Sequence, residues 1–155
     1  MRMWHYKLLP YLPDAQLRGQ LRELVAIMHN WRDKGFPRNG LVNIITEYPK
    51  HHLYTYFKMF QSSYERRFKK PLNPKWELEF RDFCSDGSGI VSQYSHIYCP
   101  EIYGGWHDKT YLRICMANLL EKYRYAFMSK GKIDCSEMQR LCEGYRNITG
   151  EDYEI

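Results

Sequence analysis

Apolar residues recur at helical spacing in three long stretches of the chain, separated by segments rich in proline, glycine and polar residues. The first stretch begins at Asp14, a candidate N-cap, and continues to Lys34, where Gly35 ends the pattern. Its apolar positions fall every three or four residues, which predicts a helix with one buried stripe. The residues of this stripe are Leu17, Leu21, Leu24, Met28 and Trp31.

Two further long helices follow from the same periodicity. Pro49 opens the second at a position where proline is tolerated, and Asp108 caps the third, which we predict over residues 109–129. The second stripe contains Leu53, Tyr56, Phe57, Phe60, Tyr64 and Phe68. The third contains Leu112, Cys115, Met116, Leu119, Tyr123 and Phe127.

The remaining segments predict shorter elements. Residues 35–40 are typical of a turn, residues 41–48 fit either a short helix or a strand, and residues 76–83 predict a short helix. Residues 84–106 lack periodicity and predict a long ordered loop. Ser136 and Gln139 suit a capping box that opens a last helix through Tyr145. We therefore expect a mainly α, compact single domain over residues 1–155, with residues 131–155 as an extra C-terminal helix and tail.

Composition narrows the classes of function. The net charge of +5 fits a polyanionic partner such as nucleic acid, although solubility alone explains it equally well. Five cysteines without a CxxC pair favour reduced, buried thiols, and the N-terminus lacks the apolar core of a signal peptide, so we expect a cytoplasmic protein with no membrane contact. The six histidines show no zinc spacing, and phosphate-loop and serine-hydrolase motifs are missing from the sequence, so we expect no metal or other cofactor.

The first helix carries the best candidate for chemistry. Glu23 lies beside the apolar stripe, and Arg18 and Arg22 lie one turn apart on another flank. A carboxylate with amide groups and arginines nearby suits proton transfer next to phosphates, but any amphipathic helix shows a similar layout. The strip that contains Glu23 consists of Gln16, Gly19, Gln20, Glu23 and Ile27.

Basic and aromatic residues also alternate elsewhere. Arg66 and Arg67, with Lys69 and Lys70, end the second helix, where they either complement the helix dipole or contact phosphates. Segments such as 4–7 and 122–125 combine aromatic rings with cations, which suits either core packing or stacking on bases.

The residues Asp14-Ala15-Gln16-Leu17, followed by Arg22-Glu23-Leu24, resemble the N-terminal helix of the pyrimidine-dimer DNA glycosylases of the endonuclease V type. Weaker similarity covers residues 52–68, with their aromatic run and paired arginines, and residues 97–122. From the first of these stretches to the last, the resemblance extends over about two-thirds of the chain. The tail beyond Lys130 has no counterpart in the resemblance.

The resemblance implies a repair enzyme that binds double-stranded DNA, flips a nucleotide and cleaves its glycosidic bond without a metal. We expect the protein to be a monomer. In that family the N-terminal α-amine attacks the sugar C1′ to form an imine, and β-elimination then cuts the strand. The resemblance implies catalytic roles for Glu23, Met1 and Arg2. It implies DNA contacts by His5, Gln16, Arg18, Gln20, Arg22, Arg66 and Arg67.

The chain departs from the family at position 2. The family has a small residue there, exposed when the initiator methionine is removed, whereas Arg2 favours retention of Met1. The Met1 amine then takes the nucleophile's role, or His5 and Trp4 serve modified chemistry, or the chain is a non-catalytic DNA-binding module. A separate hydrolase built on Glu23 and histidines is a third reading. The enzyme hypothesis requires the chain's amino end and Glu23 to meet at one positively charged hollow.

Overall fold

The structure, a computed structural model, describes residues 2–85, 101–126 and 131–155. Helices account for 70% of these residues and strands for none, which confirms the prediction of a mainly α fold. The described elements are the 3-10 helices η1 (Tyr6–Tyr11) and η2 (Asn43–Glu47) and the α-helices α1 (Asp14–Lys34), α2 (Lys50–Phe68), α3 (Pro74–Cys84), α4 (Lys109–Tyr125) and α5 (Cys135–Thr149).

Helix α1 has the predicted bounds but a different N-cap residue. Gly35 ends it in the left-handed conformation, with φ at 85°, and donates its N–H to Trp31 O, as glycine commonly does at this position. At the other end Pro13 occupies the N-cap and Asp14 is the first helical residue. The prediction of Asp14 as a cap was wrong because its carboxylate accepts from Arg67 Nη1 at 2.8 Å instead.

Helices α2 and α3 pack against each other through aromatic rings. The rings of Phe57 and Phe80 stack with their centroids 4.3 Å apart. Pro49 precedes α2, as predicted. Helix α3 begins at Pro74, earlier than predicted, because the side chain of Asn73 accepts from Lys75 N and proline suits the first turn. Residues 41–48 fitted a helix or a strand, and within them Asn43–Glu47 form η2.

The C-terminal half of the described chain is also helical. Asp108 caps α4 as predicted, and the described part of α4 ends at Tyr125. The capping box of α5 is formed by Asp134 and Glu137, not by Ser136 and Gln139, and the helix continues to Thr149. Residues 86–100 of the predicted long loop, with His96 and Cys99, and residues 127–130, with Phe127, lie outside the described residues.

The buried faces of the helices meet in one hydrophobic cluster. Most positions of the three predicted stripes are buried, and Leu21, Tyr64, Phe68 and Tyr123 are partly buried at its edge. Cys84 and Cys115 are buried thiols, Cys142 is half-buried, and Cys135 is exposed, contrary to the expectation of buried thiols throughout. No described helix has the length and apolar character needed to cross a membrane.

The junction between η1 and α1 is held by two arginines from distant helices. Arg67 of α2 donates to Leu12 O at 2.7 Å and to Pro10 O at 2.9 Å, while Arg140 of α5 donates to Leu12 O at 3.2 Å. The carboxylate of Asp14 lies within 2.8 Å of Arg67 and 3.8 Å of Arg140. Both helices therefore fix the direction in which α1 leaves η1.

Close packing of α5 on η1 gives a stability prediction. A Cβ atom at Gly144 would overlap the ring of Tyr11, so Gly144→Ala should lower the free energy of unfolding by about 1–3 kcal/mol. Gly19→Ala is the matched control in α1, where a Cβ meets nothing within 4 Å, and should raise stability by up to about 1 kcal/mol. Urea denaturation of both variants measures this, and equal effects would contradict the packing.

Candidate functional site

A cleft of about 660 Å³ runs along the exposed flank of α1, and we call it the Glu23 cleft. Helix α1 supplies most of its wall, the N-terminal segment and the turn before η2 supply its rim, and α4 closes one side. Its described lining residues are Arg2, Trp4, Ala15, Gln16, Arg18, Gly19, Gln20, Arg22, Glu23, Leu41, Lys122 and Gly131.

The described lining of the Glu23 cleft is strongly cationic. Arg2, Arg18, Arg22 and Lys122 contribute four positive charges against the one carboxylate of Glu23. The four cations come from three separate parts of the chain, so the positive field converges on the cleft rather than following one helix. Such a cleft favours an anionic ligand, with a single acid positioned among the cations.

The backbone of the N-terminal segment is bound to α1 by the side-chain amide of Gln20. Gln20 Nε2 donates to Arg2 O at 3.0 Å, and its Oε1 accepts from Trp4 N at 3.0 Å. The amide thus pairs with two backbone groups much as a neighbouring strand would. Gln20 is 1% exposed, so these bonds are shielded from water.

Two tyrosines complete the attachment of this segment. The hydroxyl of Tyr56 in α2 donates to Trp4 O at 2.7 Å and lies 3.1 Å from Gln20 Oε1, and Tyr111 of α4 donates to Met3 O. The Arg2 guanidinium lies 5.4 Å from the centre of the Trp4 ring. Arg2 therefore reaches the Glu23 cleft from a fixed backbone, whereas Met1 lies outside the described residues.

Gln16 connects the Glu23 cleft to the C-terminal region. Its Nε2 donates to Gly131 O at 2.8 Å, and its Oε1 is buried without a hydrogen-bond partner among the described residues. A buried acceptor of this kind is costly unless a ligand or water donates to it. The two side-chain amides therefore differ in role. Gln20 binds the backbone of the N-terminal segment, whereas Gln16 has an acceptor oxygen that no described residue binds.

His5 lies outside the Glu23 cleft. It is 3% exposed, its Nδ1 accepts from Lys7 N, and its Nε2 donates to His107 O at 2.8 Å. His107 in turn accepts from Tyr6 N through Nδ1. Burial lowers the pKa of His5 to about 4 and holds the pKa of His107 well below its usual range, so both rings stay neutral.

The predicted arginines divide between two locations. Arg18 and Arg22 line the Glu23 cleft, and the guanidinium of Arg18 also lies 4.3 Å from the centre of the Phe68 ring. Arg67 is engaged in the η1–α1 junction, and Arg66 is exposed at the end of α2. The structure therefore brings Arg2, Gln16, Arg18, Gln20, Arg22 and Glu23 together, and leaves His5, Arg66 and Arg67 elsewhere.

Residues 1–76, about half of the chain, match the family model of pyrimidine dimer DNA glycosylase. This match confirms the resemblance of the N-terminal part of the chain to the pyrimidine dimer DNA glycosylase family. No curated protein and no solved structure shows a significant match. The match contains η1, α1, η2, α2 and the start of α3, and it includes every described residue of the Glu23 cleft except Lys122 and Gly131.

The two resemblances within residues 1–76 fall inside the family match, whereas the weaker one at residues 97–122 falls outside it. The family's description names an enzyme class whose substrate is DNA. From the sequence, Lys122, Leu41 and the supporting hydroxyl of Tyr56 were not assigned to the candidate site. The alternation of basic and aromatic residues at 122–125 indicated a possible nucleic-acid contact by Lys122. Nothing in the sequence indicated that Leu41 would lie in the same cleft as α1.

The attachment of the N-terminal segment predicts the effect of removing one hydroxyl. Tyr56→Phe keeps the ring and leaves Trp4 O buried without its donor, so the free energy of unfolding should fall by about 1–2 kcal/mol. In the control Tyr48→Phe, the lost bond to Gly104 O is exposed, and the decrease should be smaller. Urea denaturation compares the two, and the reverse order would contradict a buried bond at Tyr56.

The buried histidines predict a dependence of stability on pH. The unfolded chain binds protons at these histidines below about pH 6.5, whereas His5 stays neutral in the fold until about pH 4. The free energy of unfolding should therefore be highest above about pH 6.5 and decrease as the pH falls towards 4. Thermal melts should show a shallower decrease in stability for His5→Gln than for the wild type. A flat profile between pH 7 and 5 would refute this assignment.

Proposed function

We propose that this protein is a DNA glycosylase with abasic-site lyase activity that acts on damaged pyrimidines in double-stranded DNA. The observation that carries the proposal is that Arg2, next to the chain's amino end, and Glu23 line the same cationic cleft. The family match supports the substrate class. The geometry of the cleft supports a reaction that pairs an amine nucleophile with one carboxylate.

In the proposed reaction the neutral Met1 α-amine attacks C1′ of the flipped nucleotide. The N–C1′ bond forms as the glycosidic bond breaks, and the bonding electrons leave with the base, which takes up a proton. The C1′–O4′ bond then opens with its electrons on O4′, and an imine joins the amine nitrogen to C1′. The amine loses two protons in forming the imine, which balance the protons taken up by the base and by O4′. An α-amine has a pKa near ~8, so a useful fraction is neutral at cellular pH.

Glu23 has two roles in this proposal. Its carboxylate stabilises the positive charge that develops on the sugar, and it moves protons to and from the reacting atoms. Removal of a C2′ proton then breaks the C3′–O3′ bond, which releases the 3′ phosphate and cuts the strand. Water later hydrolyses the imine and restores the free amine.

The cations around Glu23 bind the DNA backbone in this proposal. Arg18, Arg22 and Lys122 line the same cleft as the carboxylate and offer donors to phosphates. The buried Oε1 of Gln16 offers an acceptor to the extruded nucleotide. The proposal leaves His5 and Arg67 out, because their polar atoms are occupied within the fold.

Borohydride trapping on a duplex with one abasic site tests the mechanism. We expect a covalent adduct with the wild-type protein, and loss of the adduct when an N-terminal extension moves the amine away from the cleft. The same extension at the C-terminus is the control. Glu23→Gln should slow cleavage of a pyrimidine-dimer duplex by at least about 100-fold. The control Glu143→Gln replaces an exposed residue of α5 and should leave the cleavage rate unchanged.

The alternative readings give different results in the same assays. Duplex binding that weakens steeply with salt, without adduct or cleavage, would support the non-catalytic DNA-binding module. Cleavage that is unchanged by Glu23→Gln would overturn the assignment of the acid. An adduct that survives the N-terminal extension would place the nucleophile on another residue.

A further inference from the structure

Leu41 is an exposed apolar side chain at the mouth of the Glu23 cleft. It is 57% exposed and lines the same cleft as Glu23 and Arg22. Its neighbour Val42 is fully buried, so the backbone at this point is fixed to the core while Leu41 projects from it. An apolar side chain placed among cations is a poor choice for solubility alone.

The turn that carries Leu41 is held by two asparagines. Asn39 Oδ1 accepts from Leu41 N at 3.0 Å, and Asn39 O accepts from Val42 N and Asn43 N at 3.0 and 2.9 Å. Asn43 Oδ1 in turn accepts from Asn39 N at 2.9 Å. These bonds satisfy the turn locally, so Leu41 is presented at a defined position.

The surroundings of Leu41 indicate what it contacts. A duplex has anionic edges and an apolar interior of stacked bases, which matches cations around an apolar tip. Extruding a nucleotide leaves a gap in the stack, and an apolar side chain that enters this gap offsets part of the lost stacking. Glu23, which lines the same cleft, faces the extruded sugar in the proposed reaction.

We propose that Leu41 is a wedge that enters the base stack of duplex DNA beside the nucleotide extruded towards Glu23. This inference rests on the proposed function for its DNA substrate, but it does not require the amine chemistry. It assigns to Leu41 a contact with bases, whereas the cations of the cleft contact phosphates. The wedge acts only on duplexes, because a single strand has no partner stack to hold open.

The test uses a duplex with an abasic site and 2-aminopurine at the neighbouring position, whose fluorescence rises when it is unstacked. The wild-type protein should raise the fluorescence on binding, and Leu41→Ala should abolish most of the rise. On the duplex, Leu41→Ala should also slow adduct formation by about tenfold, equivalent to ~1.4 kcal/mol. On a single strand with the same abasic site, Leu41→Ala should form the adduct at the same rate as the wild type.

Two further variants separate the wedge from general effects. Leu78→Ala removes a leucine of α3 that is 59% exposed and does not line the Glu23 cleft, and it should match the wild type on both substrates. Leu41→Phe keeps an apolar tip and should retain the fluorescence rise. Unchanged melting temperatures for all three variants would show that the fold is intact.

The outcomes distinguish the wedge from the proposed chemistry. A fluorescence rise that depends on Leu41, without any adduct, would support the wedge and overturn the lyase mechanism. Wild-type binding without a rise, or equal losses for Leu41→Ala on duplex and single strand, would overturn the wedge alone. Failure of the wild-type protein to bind either substrate would overturn both.

Discussion

The side-chain amide of Gln20 is the constraint on which the Glu23 cleft depends. Its two bonds fix the backbone at Arg2 and Trp4 against α1, and the buried hydroxyl of Tyr56 reinforces them. Without them, the N-terminal segment would have little reason to lie along this helix, since free chain ends usually remain loosely ordered. The position of Arg2 in the lining of the Glu23 cleft is therefore a consequence of core packing rather than of the site itself.

The sequence predicted the helices well because each depends on local rules. Periodicity located α1, α2 and α4, and Gly35 and Asp108 ended or capped their helices as expected. Two predicted caps were wrong. The carboxylate of Asp14 instead pairs with Arg67 of α2, a tertiary contact that the sequence pattern does not show. The capping box of α5 is formed by Asp134 and Glu137, two residues before the pair that was predicted.

The site was only partly predictable. The strip of α1 that contains Gln16, Gln20 and Glu23 follows from helical geometry, so its grouping could be inferred from spacing alone. Which of these side chains would be buried, and by what, depends on contacts across more than a hundred residues, such as that of Gln16 with Gly131. The burial of His5 by His107 and the approach of Leu41 have the same origin and leave no periodic signal.

The hydrogen bonds between α5 and the η1–α1 region have a consequence for folding during synthesis. Glu137 accepts from Asp14 N, Arg140 donates to Leu12 O, and Asn147 donates to the hydroxyl of Tyr11. A nascent chain that has exposed only α1 and α2 has the bonds of Arg67 at the η1–α1 junction but lacks those of Glu137, Arg140 and Asn147. Because α5 is synthesised after all the other described helices, the junction should reach its full set of contacts late in synthesis.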